Sequence, residues 1–244
     1  MDELDRQIQV RLFDTQNRIA TAAQSCGRNP AEVRLVVVSK GQPVETVAAA
    51  IRAGVRLFGE NYPEQALSKI QALQDVQGLQ WHMIGHLQSR KAGMVVEHFH
   101  VLHSLDRLDL ALKLERLLAA AGRFLPVLLE FNVAGEESKS GWPAGDESHW
   151  EVFLEEIEQI LSLEHLQVQG LMAMPPLFDD PELTRPYFSR LARLRDFFNR
   201  RFAGNHFCDL SMGTSADFQI AVQEGASYVR VGTAILGSRP TNRV

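Results

Sequence analysis

Short apolar runs alternate along this chain with longer stretches whose apolar residues recur every three or four positions. The short runs, rich in β-branched residues, predict strands, and the longer stretches predict amphipathic helices. The predicted strands are residues 35–38, 55–58, 80–84, 98–103, 125–133, 166–172, 205–210 and 228–231. The predicted helices are residues 2–25, 43–53, 62–74, 107–121, 150–161, 181–201 and 215–224. This alternation of strands with helices indicates parallel β-α units.

The number of predicted strands and the chain length decide between two ways of arranging such a sheet. A doubly wound sheet that binds dinucleotides carries a G-x-G-x-x-G turn after its first strand, and none follows residues 35–38. Eight strands in 244 residues match a (β/α)8 TIM barrel, which commonly takes about 250 residues. We therefore predict an α/β TIM barrel at about residues 33–239, preceded by a helix within residues 1–26, and a single domain over residues 1–244.

Composition narrows the compartment and the partners. Lys and Arg number 25 and Asp and Glu number 30, a formal net charge of −5 that argues against a general nucleic-acid-binding protein. Cys26 and Cys208 lack the spacing of metal or redox motifs and are predicted at core positions in a reducing compartment. No signal peptide is evident, and no apolar run approaches the roughly 20 residues of a membrane span. We expect a cytoplasmic protein that binds neither nucleic acid nor membrane.

Lys40 directly follows the first predicted strand, at the strand end where barrels carry their binding sites. Burial and nearby cations lower the pKa of an amine in such a place and increase its free-base fraction. A free amine can form a Schiff base with an aldehyde. A strand-end lysine can also extend its ammonium group into solvent, so the position alone leaves both interpretations open.

The last two predicted strands are each followed by small and hydroxyl residues that suit an anion. Residues 211–215 precede a helix whose N-cap we predict at Thr214 or Ser215. Residues 232–237 predict a turn that opens a short helix. Because barrels often bind phosphate with these two loops, the pair predicts a phosphate site, although either loop alone is compatible with an ordinary helix cap.

Arg230 lies within the last predicted strand, where a buried guanidinium needs a partner. It either balances a buried carboxylate such as Glu60 or donates to a ligand. An amine, an anion site and an arginine together fit pyridoxal 5′-phosphate (PLP). Because arginine can only donate, it leaves the pyridine nitrogen unprotonated and weakens the ring as an electron sink. Such a site is better suited to holding the cofactor than to stabilising carbanions.

Other titratable side chains give weaker indications. Five histidines cluster in the first half of the chain: His82, His86, His98, His100 and His103. They do not share one helix face, so polar-network roles are favoured over a metal site. His86, at a strand end, is a candidate for lining the pocket. Lys139 lies in a predicted long loop at residues 134–148 and is a second candidate amine.

Seven ordered motifs, spread over about residues 5–239, resemble the YggS/PROSC family of pyridoxal phosphate homeostasis proteins. They are residues 37–40 (VVSK), 58–62 (FGENY), 81–88 (WHMIGHLQ), 138–141 (SKSG), 170–172 (GLM), 210–213 (LSMG) and 229–234 (VRVGTA). The sequence departs from the usual family pattern at Gly41–Gln42, Pro63–Glu64 and Thr214. None of these departures removes the amine, the arginine or the phosphate loops.

The resemblance implies a barrel like the N-terminal domain of bacterial alanine racemase, with PLP as cofactor and no metal. The implied site residues are Lys40 for the Schiff base, Arg230 near the ring nitrogen, Ser211, Gly232 and Thr233 near the phosphate, and Asn61 and His86 lining the pocket. Members of this family are regarded as non-catalytic. The resemblance thus implies a protein that buffers or delivers PLP in vitamin B6 and amino-acid homeostasis, with transient contact to PLP-dependent apo-enzymes.

Two enzyme functions stand as alternatives to a PLP carrier. One is a PLP-dependent amino-acid racemase, and the other is an aldolase that uses a lysine Schiff base without cofactor. Related racemases take a second acid/base from a C-terminal β-domain, and we find no such domain before Val244. We therefore expect a non-enzymatic protein without catalytic residues, and we expect it to be a monomer.

Overall fold

A computed structural model describes residues 2–136, 139–204 and 207–239 of the chain. Its strands are β1 (Arg34–Val38), β2 (Leu57–Glu60), β3 (Gln80–Met83), β4 (Val101–Leu105), β5 (Leu125–Asn132), β6 (Trp142–Pro143), β7 (Leu166–Met172), β8 (Asp209–Ser211) and β9 (Tyr228–Val231). All neighbouring strands are parallel, in the order β4-β3-β2-β1-β9-β8-β7-β5, and β4 also pairs with β5. These eight strands close a barrel, while the two-residue β6 pairs only with the end of β5.

Helices cover the outside of the barrel and connect most of its strands. They are α1 (Glu3–Ser25), α2 (Val44–Arg52), α3 (Pro63–Ala72), α4 (Ala92–His98), α5 (Leu108–Ala121), α6 (Leu154–Leu161), α7 (Arg185–Arg201), α8 (Phe218–Gln223) and α9 (Thr233–Leu236). The leading helix α1 packs against α2, α8 and α9 through a stripe that includes Ile8, Leu12 and Ile19. The predicted α/β barrel with an extra N-terminal helix is confirmed.

Each barrel strand is buried on both faces, which explains why the strands read as continuous apolar runs. Outward-facing side chains such as Val37 and Phe58 join the large core between strands and helices. A smaller cluster fills the barrel interior and contains Val36, Val101, Leu128, Met172 and Tyr228. Because side chains alternate along a strand, a residue two positions from one of these interior residues also faces the interior. This alternation positions the functional side chains described below.

The structure corrects several predicted elements. Residues 98–103 were predicted as one strand, but His98 ends α4 and the strand begins at Val101. Helix α4 escaped prediction because Gly93 interrupts a short repeat of buried residues. The predicted strand at residues 205–210 is observed as β8, Asp209–Ser211, while Asn205 and His206 lie outside the described residues.

The start of α8 and the placement of the cysteines also differ from the predictions. Asp217, rather than Thr214 or Ser215, is the N-cap, and its Oδ1 accepts hydrogen bonds from the backbone N–H and hydroxyl of Thr214. Cys26 and Cys208 are exposed, so the prediction that they occupy core positions is wrong.

The described ranges contain no helix long and apolar enough to cross a membrane. Within the same ranges, no group of three or more His, Cys, Asp and Glu side chains is arranged to bind a metal ion.

Candidate functional site

The carboxyl ends of the barrel strands surround a cavity of about 270 Å³. Its lining consists of Val38, Lys40, Gln42, Asn61, Ile84, Met174, Leu177, Thr214, Ser215, Ala216, Arg230, Gly232, Thr233, Gly237 and Arg239. Five of the seven residues implied by the family resemblance are therefore neighbours here, although they come from three separate parts of the chain. The titratable side chains of this lining are Lys40, Arg230 and Arg239, and all three are basic. The cavity therefore suits an anionic ligand of small-molecule size.

Lys40 reaches the cavity because it follows β1 in register with the interior-facing residues Val36 and Val38. Burial is the largest cause that lowers the pKa of its ammonium group below the ordinary value, followed by the positive charges of Arg239 and Arg230. The negative charge of Glu60 opposes this shift. Since a lower pKa enlarges the free-base fraction near neutral pH, Lys40 has the character of a nucleophilic amine.

Arg230 is held from inside the barrel wall. Its Nη1 donates to Ser211 Oγ at 2.5 Å and its Nη2 donates to the carbonyl oxygen of Ala173 at 3.0 Å. Burial lowers the pKa of its guanidinium to about 10, opposed by the charges of Glu130 and Asp217, so the group stays cationic at neutral pH. The remaining N–H groups of the guanidinium are free to serve a ligand in the cavity that Arg230 lines.

Glu60, the carboxylate considered as a partner of Arg230, lies on the other side of the strands. Its Oε1 accepts hydrogen bonds from Lys69 Nζ at 2.5 Å and from Ser39 Oγ at 2.7 Å. Lys69 also donates to the carbonyl oxygen of Ser39 at 2.7 Å. The pairing of Arg230 with Glu60 is therefore replaced by a buried ion pair between Glu60 and Lys69.

The loops after β8 and β9 meet at one wall of the cavity. Ser215 Oγ accepts from the backbone N–H groups of Gly232 at 3.3 Å and Ala234 at 3.5 Å. These two N–H groups are the kind of donor that a phosphate oxygen takes. Gly213 has a positive φ of 88°, and a Cβ there would lie 2.5 Å from the Cβ of Ala221. A glycine is needed there for the loop to turn back against α8.

Asn61 lines the cavity directly after β2 and is crowded by the chain that follows β3. A Cβ at Gly85 would lie 2.5 Å from the backbone oxygen of Asn61. The glycine in the sequence Ile84-Gly85-His86 thus lets two strand ends approach each other closely, which narrows this side of the cavity.

Two predicted site residues lie outside the cavity lining. Ser211 is fully buried between Arg230 and His103. His86 is half-exposed, and its Nδ1 lies 2.8 Å from Asp106 Oδ2 and 3.1 Å from the hydroxyl of Ser140. The structure therefore places Ser211 and His86 next to lining elements rather than in the cavity, and their direct contact with a cofactor stays a prediction.

Lys139, the second candidate amine, points to a neighbouring loop. Its Nζ donates to the carbonyl oxygen of Met174 at 3.0 Å and forms an ion pair with Glu136 at 3.2 Å. Met174 itself lines the cavity, so Lys139 connects the loop after β5 to the rim of the site. Ser138, which precedes Lys139 in the motif at residues 138–141, lies outside the described residues, as does Glu137.

Glu130 is a buried carboxylate in the barrel interior that sequence reasoning did not select. It lies two residues after the interior residue Leu128, and its Oε2 has no hydrogen-bond partner within the described part of the chain. Burial raises the pKa of this carboxyl to about 7, helped by the negative charge of Asp106 and opposed by Arg230. The alternation of side chains along β5 carried the signal that could have found it.

The sequence analysis also missed several lining residues, because their residue types and local patterns do not indicate a binding site. Ser215 was considered only as a helix cap, yet it organises the wall formed by Gly232 and Ala234. Gln42 lines the cavity two residues after Lys40, whereas Leu177 and Arg239 line it from parts of the chain distant in sequence. Only the closeness of Leu177 and Arg239 to Lys40 in space identifies these two residues, and no local sequence pattern predicts it.

Comparisons with known proteins agree with this geometry. The sequence profile of the family described as "Alanine racemase, N-terminal domain" matches residues 10–240. A protein of Aquifex aeolicus named pyridoxal phosphate homeostasis protein is 38% identical over 231 residues, covering 94% of this chain and 97% of the relative. PipY of Synechococcus elongatus, solved with PLP bound, has a TM-score of 0.82 and 33% identity, covering 95% of this chain and 100% of PipY.

Alanine racemase of Clostridium difficile is a more distant structural neighbour. It superposes with a TM-score of 0.70 at 15% identity, and the match covers 97% of this chain and 57% of the racemase. At that identity the likeness supports the barrel fold alone. The resemblance carried by the seven motifs is confirmed: the chain belongs to the alanine racemase N-terminal domain family and, within it, to the pyridoxal phosphate homeostasis proteins.

Proposed function

We propose that this protein binds pyridoxal 5′-phosphate and buffers or delivers it in vitamin B6 and amino-acid homeostasis, without catalysing a reaction of its own. The observation that carries the proposal is the meeting of the Lys40 amine, the Arg230 guanidinium and the Ser215–Gly232 wall in one cavity. The pyridoxal phosphate homeostasis protein of Aquifex aeolicus and PipY, which was solved with PLP bound, support the same ligand.

The residues present fit the chemistry of this group. PLP, when bound, supplies an aldehyde that an amine can hold covalently, a phosphate dianion and a ring nitrogen that accepts a hydrogen bond. Lys40 offers an amine whose pKa is lowered. Thr214, Ser215, Gly232 and Thr233 offer hydroxyl and backbone donors on one wall.

Each of these groups has a separate task in retention. Lys40 supplies the amine that fixes the cofactor by its aldehyde carbon. Arg230 remains protonated. It would donate to the ring nitrogen of a bound cofactor, and that nitrogen would then carry no proton. Asn61 contributes an amide to the cavity lining. Storage by a reversible covalent bond, together with a ring that is a weak electron sink, suits a carrier.

The chemistry of the lining favours storage over catalysis. Among the described lining residues, the titratable side chains are three bases, Lys40, Arg230 and Arg239, and none is a carboxylate, histidine, tyrosine or cysteine. A racemase needs an acid/base on each face of the bound substrate. With Lys40 as the amine on one face, the described lining offers no matching group for the other.

We propose further that the protein is a cytoplasmic monomer that contacts PLP-dependent apo-enzymes transiently.

The test of this function is uptake of PLP followed by chemical fixation. We expect the purified protein to absorb visible light after incubation with PLP and to retain the label on Lys40 after borohydride reduction, as located by peptide mapping. Lys40→Arg should abolish the fixed label, whereas Lys113→Arg, on α5, should leave it unchanged. A wild-type protein that stays colourless would overturn the proposal.

A separate measurement tests the absence of catalysis. The loaded protein should racemise or decarboxylate no amino acid at an enzyme-like rate, of order 1 s⁻¹ or faster. Turnover at such a rate would replace the carrier function by a racemase-like enzyme.

A further inference from the structure

A chain of buried polar side chains leads from Arg230 into the barrel, and retention of a cofactor does not by itself require it. Arg230 Nη1 lies 2.5 Å from Ser211 Oγ, which lies 2.8 Å from His103 Nδ1. His103 Nε2 lies 2.9 Å from His82 Nδ1. Both histidines and Ser211 are completely buried, and Arg230 is 3% exposed. Four polar side chains thus occupy space that apolar residues fill elsewhere in the barrel interior.

The direction of the hydrogen bonds follows from the chemistry of the donors. Arginine only donates, so Ser211 Oγ accepts from Arg230. The single hydroxyl hydrogen of Ser211 then has His103 Nδ1 as its acceptor. A neutral His103 that accepts at Nδ1 carries its hydrogen on Nε2 and donates it to His82 Nδ1. His82 in turn carries its hydrogen on Nε2, which has no partner among the described residues.

The reverse direction leaves more polar groups unsatisfied. If His103 donated from Nδ1, Ser211 Oγ would accept twice, and its own hydrogen would need another acceptor. The described residues provide none for that hydroxyl. Since His82 Nε2 lacks a partner in both arrangements, the first arrangement satisfies one more buried group and is favoured.

The charge state of the two histidines agrees with this assignment. Burial lowers the pKa of His82 to about 3, with smaller contributions from the positive charges of His100 and Arg34. Burial also holds the pKa of His103 well below its ordinary value. The ring of Tyr228 packs edge-on against both imidazoles, at centroid distances of 5.8 Å and 5.0 Å. Both histidines are therefore neutral at physiological pH.

We infer that His103, acting through Ser211, is a positioning residue that orients the guanidinium of Arg230 toward the cavity. By accepting the Ser211 hydrogen, His103 turns the hydroxyl lone pairs toward Arg230 and strengthens them as acceptors. The second anchor, the carbonyl oxygen of Ala173, holds the other end of the guanidinium. When both Ser211 Oγ and the carbonyl oxygen of Ala173 accept from the guanidinium, its orientation is fixed and its remaining N–H groups point toward the cavity. When only one of them accepts, the guanidinium can rotate away from the ring nitrogen.

The inference rests on the proposed function, because the orientation of Arg230 matters through the ring nitrogen that it is proposed to contact. The first experiment therefore needs no PLP. In protein labelled with ¹⁵N-histidine and free of cofactor, His82 and His103 should both be neutral and carry their hydrogen on Nε2 between about pH 6 and 8. A His103 hydrogen on Nδ1, or a protonated His103, would overturn the inference.

The second experiment measures PLP retention and the visible absorption of bound PLP in variants of the protein. His103→Leu should weaken PLP retention about tenfold and shift the visible absorption maximum of the bound cofactor and its pH dependence. His103→Asn places an amide oxygen where Nδ1 accepted and should stay within about threefold of the wild type. Should His103→Leu fail to fold, Ser211→Ala removes a single oxygen atom and should give the same shift.

The control is His100→Leu, which removes a neighbouring histidine whose Nδ1 accepts from the backbone of Trp81 and which lies outside the chain to Arg230. It should lower stability without moving the absorption maximum. Wild-type absorption and affinity in both His103→Leu and Ser211→Ala would overturn the inference and leave the proposed function standing. A wild-type protein that takes up no PLP would overturn the proposed function, whatever the tautomers are.

Discussion

Charged side chains on the outer face of the strand ends are paired with each other, whereas those on the inner face are not. On the outer face, between the strands and α3, Lys69 Nζ and the hydroxyl of Ser39 both bind Glu60 Oε1, and Lys69 is only 5% exposed. On the inner face, no carboxylate of the described residues lies within ion-pair distance of Lys40, and Glu130 forms no ion pair there. Each carboxylate, Glu60 and Glu130, keeps one oxygen without a partner among the described residues, so the difference between the faces is the cation that Glu60 has and Glu130 lacks. Ser39, which binds the paired Glu60, and the unpaired Lys40 are consecutive residues directly after β1, and their side chains point to opposite faces.

The difference follows from what each face contacts. A buried charge on the outer face can only be stabilised by another part of the same chain, and an ion pair with additional hydrogen bonds does this. Lys40 on the inner face borders the cavity, where a ligand can supply the missing partner. Glu130 does not line that cavity, and its pKa of about 7 leaves a large protonated fraction near neutral pH. The pKa values of Lys40 and Glu130 on the inner face are therefore shifted. The charges of Glu60 and Lys69 on the outer face are paired with each other.

The largest expected effect is on the paired side. Lys69→Met leaves Glu60 buried without its cation, which should lower the free energy of unfolding by about 3–5 kcal/mol, as measured by urea denaturation. The double variant Lys69→Met/Glu60→Gln removes both charges and should recover most of that loss. A loss below about 1 kcal/mol in Lys69→Met would show that the pair does not stabilise the strand ends.

Glu130, the acid without an ion-pair partner, should make the free energy of unfolding depend on pH. The pKa of Glu130 is about 7 in the folded protein against an ordinary value of 4.5, so folding favours its protonated form. Its contribution to stability is complete below about pH 4.5 and is lost as the pH rises through 7. Glu130→Gln should therefore stabilise the protein at pH 8 by up to about 3 kcal/mol and change little at pH 4.5.

The matched control for that experiment is Glu155→Gln on the exposed side of α6, which should leave the pH dependence of unfolding as in the wild type. The comparison between the two faces would fail if Glu130→Gln lowered stability at pH 8, since the carboxylate would then have a partner that stabilises its charge.

A smaller effect separates the two lysines by reactivity. At about pH 8, an amine-directed acylating reagent should modify Lys40 roughly tenfold faster than Lys69, because only the free base reacts. The pKa of Lys40 is lowered and its side chain borders the cavity, whereas Lys69 is buried in an ion pair. Mass spectrometry of timed samples gives both rates. Equal rates, or faster labelling of Lys69, would contradict the distinction.

The smallest expected effect concerns Arg239, whose charge contributes to the lowered pKa of Lys40. Arg239→Ala should move the pH profile of Lys40 acylation to higher pH. Since Arg239 is exposed, the shift should shrink when the wild type and the variant are compared at about 1 M salt, where charges are screened within about 3 Å. A profile that moves to lower pH would show that Arg239 does not act on Lys40 through its charge.

Much of the fold could be predicted from local pattern. The alternation of apolar runs and helical periods predicted the barrel and the leading helix, because burial on both faces forces continuous apolar strands. Helix α4 was missed because it has only 7 residues and Gly93 interrupts its short repeat of buried residues. The N-cap of α8 was misplaced because Thr214, Ser215 and Asp217 are all residue types that cap helices, and Asp217 takes the position without a side-chain hydrogen bond to the first turn.

The candidate site divides in the same way. Lys40, Asn61, Arg230, Gly232 and Thr233 were predicted from their places at strand ends and from the family motifs, and they do meet in one cavity. Ser211 belongs to another of these motifs, LSMG at residues 210–213, yet the barrel wall buries it beside Arg230 instead of exposing it to the cavity. A strand motif gives neighbouring residues, but the closure of the barrel decides which of them face the ligand.

By itself the sequence determined the eight barrel strands and most of the helices between them, and it determined the family. It also determined the presence of an amine, an arginine and two phosphate-type loops at the strand ends. These follow from side-chain size, polarity and spacing, which are local properties of the chain. Only the tertiary structure decided that Glu60 pairs with Lys69 rather than Arg230, and that His103 reaches Arg230 through Ser211. Those partners lie on different strands or helices, and only packing in three dimensions brings their atoms within hydrogen-bond distance.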